Sequence, residues 1–78
     1  MTVHVTVSDG FSNEESWHFE SLDEAISQAR EEADGLRQSG FSWVERGFYI
    51  RYGGKRYPDI VTIVVYDDQD KLYPWRLE

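Results

Sequence analysis

The sequence predicts an α+β domain in which one helix packs on a face of an antiparallel sheet of four to five strands, in the order ββαβββ. Two early stretches alternate apolar and polar residues, and later ones are β-prone or continuously apolar, as strands are. Between them a single stretch carries apolar residues at helical spacing. The connections are short, which favours antiparallel neighbours. With 78 residues the chain reads as one domain, 1–78, and no internal repeat or linker divides it. A chain this short leaves roughly 40% of its unfolded surface exposed, so its core must pack well. Three Trp, five Tyr and four Phe supply that core with large buried area per residue.

The first element follows from Val3, Val5 and Val7 alternating with Thr2, His4 and Thr6. "SWHFE" repeats the pattern, with Trp17 and Phe19 on one face and Ser16, His18 and Glu20 on the other. "SDGFSNE" between them is rich in turn formers, so the pair is predicted as an antiparallel hairpin. If Val5 pairs with Trp17, His4 faces His18 on the outer side and Glu20 lies opposite Thr2.

Ser21 followed by Glu24 is a capping box, so a helix begins there. Leu22, Ala25, Ile26, Ala29, Ala33 and Leu36 recur at helical spacing, and the small alanines would let the helix lie close to a sheet. Asp23 and Glu24 in the first turn and Arg37 in the last suit the helix dipole, and Gly40 is a reasonable stop. "FSWVERGFYIRY" is β-prone; its start is either strand or an ordered loop over the helix end, with the strand proper near 47–52. Gly53-Gly54 is predicted as a two-residue hairpin turn, which would set Arg51 opposite Arg56. Pro58 places the return on an edge or breaks it. "IVTIVVY" suits a central strand, "DDQD" a solvated turn, and "KLYPWRLE" a last strand that Pro74 confines to an edge.

The absence of cysteine excludes disulfides and thiolate metal cages. No stretch approaches the ~18 apolar residues of a membrane span, and the N-terminus lacks the basic and apolar regions of a leader, so a protein of the cytoplasm is expected. Two imidazoles and a carboxylate at His4, His18 and Glu20 could hold zinc, but closed zinc sites usually take four ligands, and exposed strand histidines are the expected state. "DDQD" lacks the alternation, glycine and distal glutamate of a calcium loop. No nucleophile elbow, phosphate-binding loop or catalytic cysteine is present, so no enzyme and no cofactor are expected.

Charge is the more informative feature. The net charge is −7, yet residues 1–34 carry nine acids against Arg30, while residues 35–58 carry Arg37, Arg46, Arg51, Lys55 and Arg56 against Glu45. Asp9, Glu14, Glu15, Glu31, Glu32 and Asp34 could together present carboxylates that imitate a phosphate track, a DNA-mimic surface steering toward basic, nucleic-acid-handling proteins. A solvated helix face is the plainer account of the same charges. Arg51, Lys55, Arg56 and Tyr57 are the alternative site, chemically competent for phosphates and bases, but the acidic remainder of the chain opposes a polyanion at long range. A small structural or oligomerising domain, pairing through the edge strand "KLYPWRLE", is a further alternative.

In size, acidity, lack of cysteine and β, β, α, β pattern, with "SLDE" at the helix start and "YGGK" at the hairpin, the chain resembles the phage-encoded inhibitors known as anti-CRISPR proteins. The resemblance is one of format and carries no residue roles. It implies a monomer or homodimer acting in the host cell by binding a host protein with a basic surface, such as a CRISPR effector subunit, and blocking its access to nucleic acid.

Overall fold

The structure, a computed structural model, describes the backbone of residues 2–8, 14–46, 49–53 and 60–76, and the side chains of these residues apart from 43–53 and Ile60. The fold is α+β, one helix on an antiparallel sheet. Strand β1 (Val3–Ser8) runs between β2 (Glu14–Phe19) and β5 (Ile60–Asp67), and these three carry helix α1 (Leu22–Gln38) on one face. Backbone pairing continues from β5 to β4 (Tyr49–Gly53) and from β4 to β3 (Ser42–Arg46).

Alternation on β1 decides the two faces. Val3 and Val5 are fully buried against the helix, and their partners across the ladders are Phe19 and Trp17 on β2 and Asp67 and Val65 on β5. His4 and Thr6 occupy the opposite face, beside His18 and Ser16 on one side and Tyr66 and Val64 on the other. The hairpin register is therefore consistent with the apolar alternation, which fixes the face that each residue takes.

Helix α1 starts where the Ser21 side chain, on extended backbone, accepts the Glu24 N–H at 3.2 Å. Ala25, Ala29 and Ala33 form a fully buried stripe, and the missing bulk at these positions lets the helix backbone sit against Val3, Val5, Ile63 and Val65. The helix ends in a Schellman motif. Gly40 takes a left-handed φ of 92°, its N–H donates to the Arg37 carbonyl, and the Phe41 N–H donates to the Leu36 carbonyl at 3.1 Å. Leu36 and Phe41, the residues such a motif brings together, both pack against the core.

Three sequence expectations are corrected. Of the two readings open for the start of "FSWVERGFYIRY" the strand holds, and the one strand expected near 47–52 is instead preceded by another: Ser42–Arg46 pairs along its whole length with Tyr49–Gly53, residues 47 and 48 lying outside the described residues. The pairing expected across Gly53-Gly54 is replaced by another register: Gly53 is itself in β4 opposite Ile60, and Arg51 is set between Val44 and Thr62, while Gly54, Arg56 and Pro58 lie outside the described residues. Residues 71–76, the described part of "KLYPWRLE", form no strand. Leu72 makes one isolated bridge with Tyr66, and the Tyr73 N–H donates to the Val65 carbonyl at 2.9 Å, on the stretch of β5 beyond its pairing with β4. Pro74 has no N–H with which to continue a ladder. The chain instead drops Trp75 into the core, 5% exposed, and the Arg30 Nε donates to the Arg76 carbonyl at 2.8 Å to fasten the segment to the helix.

The Trp75 indole Nε1 is buried without a hydrogen-bond partner among the described residues. Trp75→Ala is expected to cost about 3–5 kcal/mol, the loss of a large core side chain, whereas Trp75→Phe keeps much of the apolar volume and removes the unpaired donor, so its cost should be well under half of that. Ser21→Ala, which removes a cap, should cost about 1 kcal/mol. Urea denaturation of the three variants checks this ranking, and a Trp75→Ala cost at or below that of Ser21→Ala would remove Trp75 from the core.

Candidate functional site

The sheet face away from the helix carries a connected polar cluster. His4 and His18 stand opposite each other on β1 and β2, and their Nδ1 atoms are 2.6 Å apart. The other nitrogen of His4, Nε2, is 2.7 Å from the Asp68 Oδ1, and the Thr2 backbone N–H donates to the Asp68 Oδ2 at 3.1 Å. An ionised carboxylate only accepts, so Asp68 fixes a proton on His4 Nε2. His4 Nδ1 then offers a lone pair, and His18 supplies the N–H that points at it. The Tyr66 ring stacks on His4, with centroids 5.1 Å apart and 25° between planes. Next to it, the Thr6 hydroxyl is 2.9 Å from the Tyr66 hydroxyl and 3.2 Å from that of Ser16. The hydrogen bond from His4, and after it the Thr2 N–H, hold the Asp68 carboxyl below the ordinary carboxylate range.

The neighbouring Asp67 serves the fold. It is buried, its Oδ1 accepts the N–H groups of Lys71 and Gln69 at 2.9 Å each, and its Oδ2 accepts the Tyr73 hydroxyl at 2.9 Å. The Lys71 N–H is the largest influence lowering its pKa, opposed by burial and assisted by the Gln69 N–H and the Tyr73 hydroxyl. The same hydrogen bond to Asp67, with burial, raises the Tyr73 phenol. The turn expected at "DDQD" is present, with Asp70 in the left-handed region at φ 61°, but Asp67 is an internal anchor of that turn rather than a solvated member of it.

The acidic positions named from sequence are dispersed over several elements. Glu31 and Asp34 are exposed on α1, and Asp34 is 3.9 Å from Arg37. Glu32 is only half-exposed and accepts from the Gln28 amide at 3.1 Å. Glu14 and Glu15 are exposed on β2, where alternation sends Glu15 to the helix side, opposite Val7, and Glu14 to the other face, opposite Ser8. Asp9 lies outside the described residues. Of the alternative basic set, Arg51 occupies a central register position on β4, and Lys55, Arg56 and Tyr57 lie outside the described residues.

Sequence alone set His4 opposite His18 only on an assumed Val5–Trp17 register and left their adjacency open; the structure decides it, and adds Asp68 and Tyr66, which the sequence missed. Both reach the cluster across β1–β5, a pairing of strands at opposite ends of the chain for which the sequence offers no short-range signal. No protein-family model matches the chain, and neither a curated protein nor a solved structure matches it.

Both Asp67 and Asp68 have folded-state values held below the ordinary 3.8. A depressed carboxyl contributes stability that is fully present above its unfolded value and is lost as pH falls through the folded one. The urea midpoint should therefore drop below pH 3.8 more steeply for the wild type than for Asp67→Asn, so that the two curves converge in acid. Curves that stay parallel through the acid range would show that Asp67 carries no such stabilisation.

Proposed function

We propose that this chain is a non-enzymatic protein–protein interaction domain, a small acidic inhibitor that docks on the basic surface of a nucleic-acid-handling protein of the host cell and blocks that protein's access to nucleic acid. The observation that supports this reading is the outer surface of α1. Asp23, Glu24, Glu31 and Asp34 are all exposed there, and among the described residues the ion pair within the helix is the long Asp34–Arg37 contact. Glu24 and Glu31 stand seven residues apart, about 10 Å along the axis, and Asp34 continues the row one turn later. Carboxylates spaced along a rigid helix offer a basic groove a substitute for phosphates, and such a surface steers encounter with cationic partners over several ångströms.

The helix can do this because its packing is decoupled from its exterior. The alanine stripe and the Ser21 and Gly40 caps hold it, so charges on the outer face are open to change at little cost to the fold. The format shared with anti-CRISPR proteins favours a CRISPR effector subunit as the partner, with the chain acting as a monomer or homodimer. No described helix is long and apolar enough to cross a membrane.

The double variant Glu31→Lys/Asp34→Lys tests the reading. Used as bait in nuclease-treated host lysate, the wild type should retain a basic nucleic-acid-handling protein that moderate salt releases. The variant should lose at least tenfold in affinity for that same purified partner, with an unchanged circular dichroism spectrum. Equal affinity of the two baits would overturn the acidic-face reading, and an oligonucleotide shifted by the protein alone, with affinity falling steeply in salt, would favour Arg51, Lys55, Arg56 and Tyr57 instead.

A further inference from the structure

We propose that His4 and His18 form a two-imidazole chelate for a divalent transition-metal ion of the zinc and nickel kind, on the sheet face away from the acidic helix. The two Nδ1 atoms converge to 2.6 Å from directly opposed positions on neighbouring strands, so the backbone register holds the two rings within reach of one ion. The rings stand edge to face, 86° between planes.

The surroundings prepare one of the two ligands. Asp68 engages His4 Nε2 and so commits the Nδ1 lone pair outward, which is the role that a second-layer carboxylate plays behind a metal-bound histidine. Thr2 in turn fixes Asp68 through its N–H, and the Tyr66 ring supports the His4 plane from behind. This chain, Thr2 to Asp68 to His4, orients a ring whose side chain is only 17% exposed, while His18, on the edge strand, is open to solvent and supplies the second nitrogen.

A bound ion takes the place of the proton that His18 now directs at His4. Both Nδ1 lone pairs go to the metal, His4 keeps its Nε2–H on Asp68, and His18 carries its proton on Nε2 through exchange with water. Starting from two neutral rings, no net proton is released. Zinc–nitrogen bonds of ~2.0–2.1 Å at a tetrahedral angle set the two nitrogens roughly 3.3–3.4 Å apart, so the rings must part by less than about 1 Å. Small side-chain rotations supply that, His18 having an exposed edge to move into. Imidazole is a ligand suited to zinc and nickel and poorly suited to magnesium or calcium, which sets the class of ion. Among the described residues no group of three or more His, Cys, Asp or Glu stands ready to enclose a metal, so water completes the coordination and the site is open rather than structural. The net charge of −7 favours the approach of a cation.

Zinc chloride alone is the probe, titrated into the full chain at neutral pH by calorimetry and by NMR of the imidazole carbons, with magnesium chloride as the control. One zinc per chain should bind, with the His4 and His18 ring signals shifting together and no response to magnesium. His18→Gln, which retains His4, the N-terminal amine and every helix carboxylate, should bind at least tenfold more weakly. Asp68→Asn, which disturbs the orientation of His4 and keeps both ring ligands, should weaken binding by roughly tenfold. If His18→Gln binds zinc as the wild type does, or if zinc shifts the helix carboxylates and leaves both ring signals unmoved, the site does not exist; the wild-type mapping decides this even if a variant folds poorly.

Discussion

The pairing of β1 with β5 is the constraint from which the remaining structure follows. It joins residues about sixty positions apart, so it closes the largest loop in the molecule and becomes favourable only when a buried face rewards it. Val3, Val5, Ile63 and Val65 are that face, all without solvent exposure. They make an apolar platform two strands wide, against which the alanine stripe of α1 packs. A larger residue at Ala25, Ala29 or Ala33 would lift the helix from the platform and expose the valines beneath it.

The same pairing builds the polar cluster on the other face. A period of two means that burying Val3 and Val5 commits His4 and Thr6 to the opposite side, and the β5 register delivers Tyr66 beside His4. Asp68, the first residue past the end of β5, then reaches His4, while Asp67 turns inward and organises the next turn with its carboxylate. Two adjacent aspartates thus have unlike tasks. One closes the fold and the other orients an imidazole, and the alternation of the strand they end is what separates them.

The C-terminal segment shows how a short chain completes a core that its helix and strands leave unfinished. Leu72 and Tyr73 occupy a remnant of β5's edge, Pro74 prevents further pairing, and Trp75 enters the interior. Its indole adds to the core a volume that the small alanines on the helix do not supply. The exterior of that helix is released from packing duties, and its carboxylates Asp23, Glu24, Glu31 and Asp34 are exposed.

Much of this was legible in the sequence where the signal is local. Ser21 and Glu24 marked the helix start, Gly40 marked its end, and the valine alternation gave the two faces of the β1–β2 hairpin, while the register that brings His4 to His18 was settled by the structure. Caps and periodicities act between residues a few positions apart, so composition and spacing determine them. Tertiary structure decided the rest: that Ser42–Arg46 is a strand, that Gly53 faces Ile60, that Trp75 is core, and that Asp68 belongs with His4. Each of these depends on which distant segment offers a surface to pack or pair against. The balance between leaving a Trp in water and burying it, or between one strand partner and another, is set by that neighbour and not by the residues on either side.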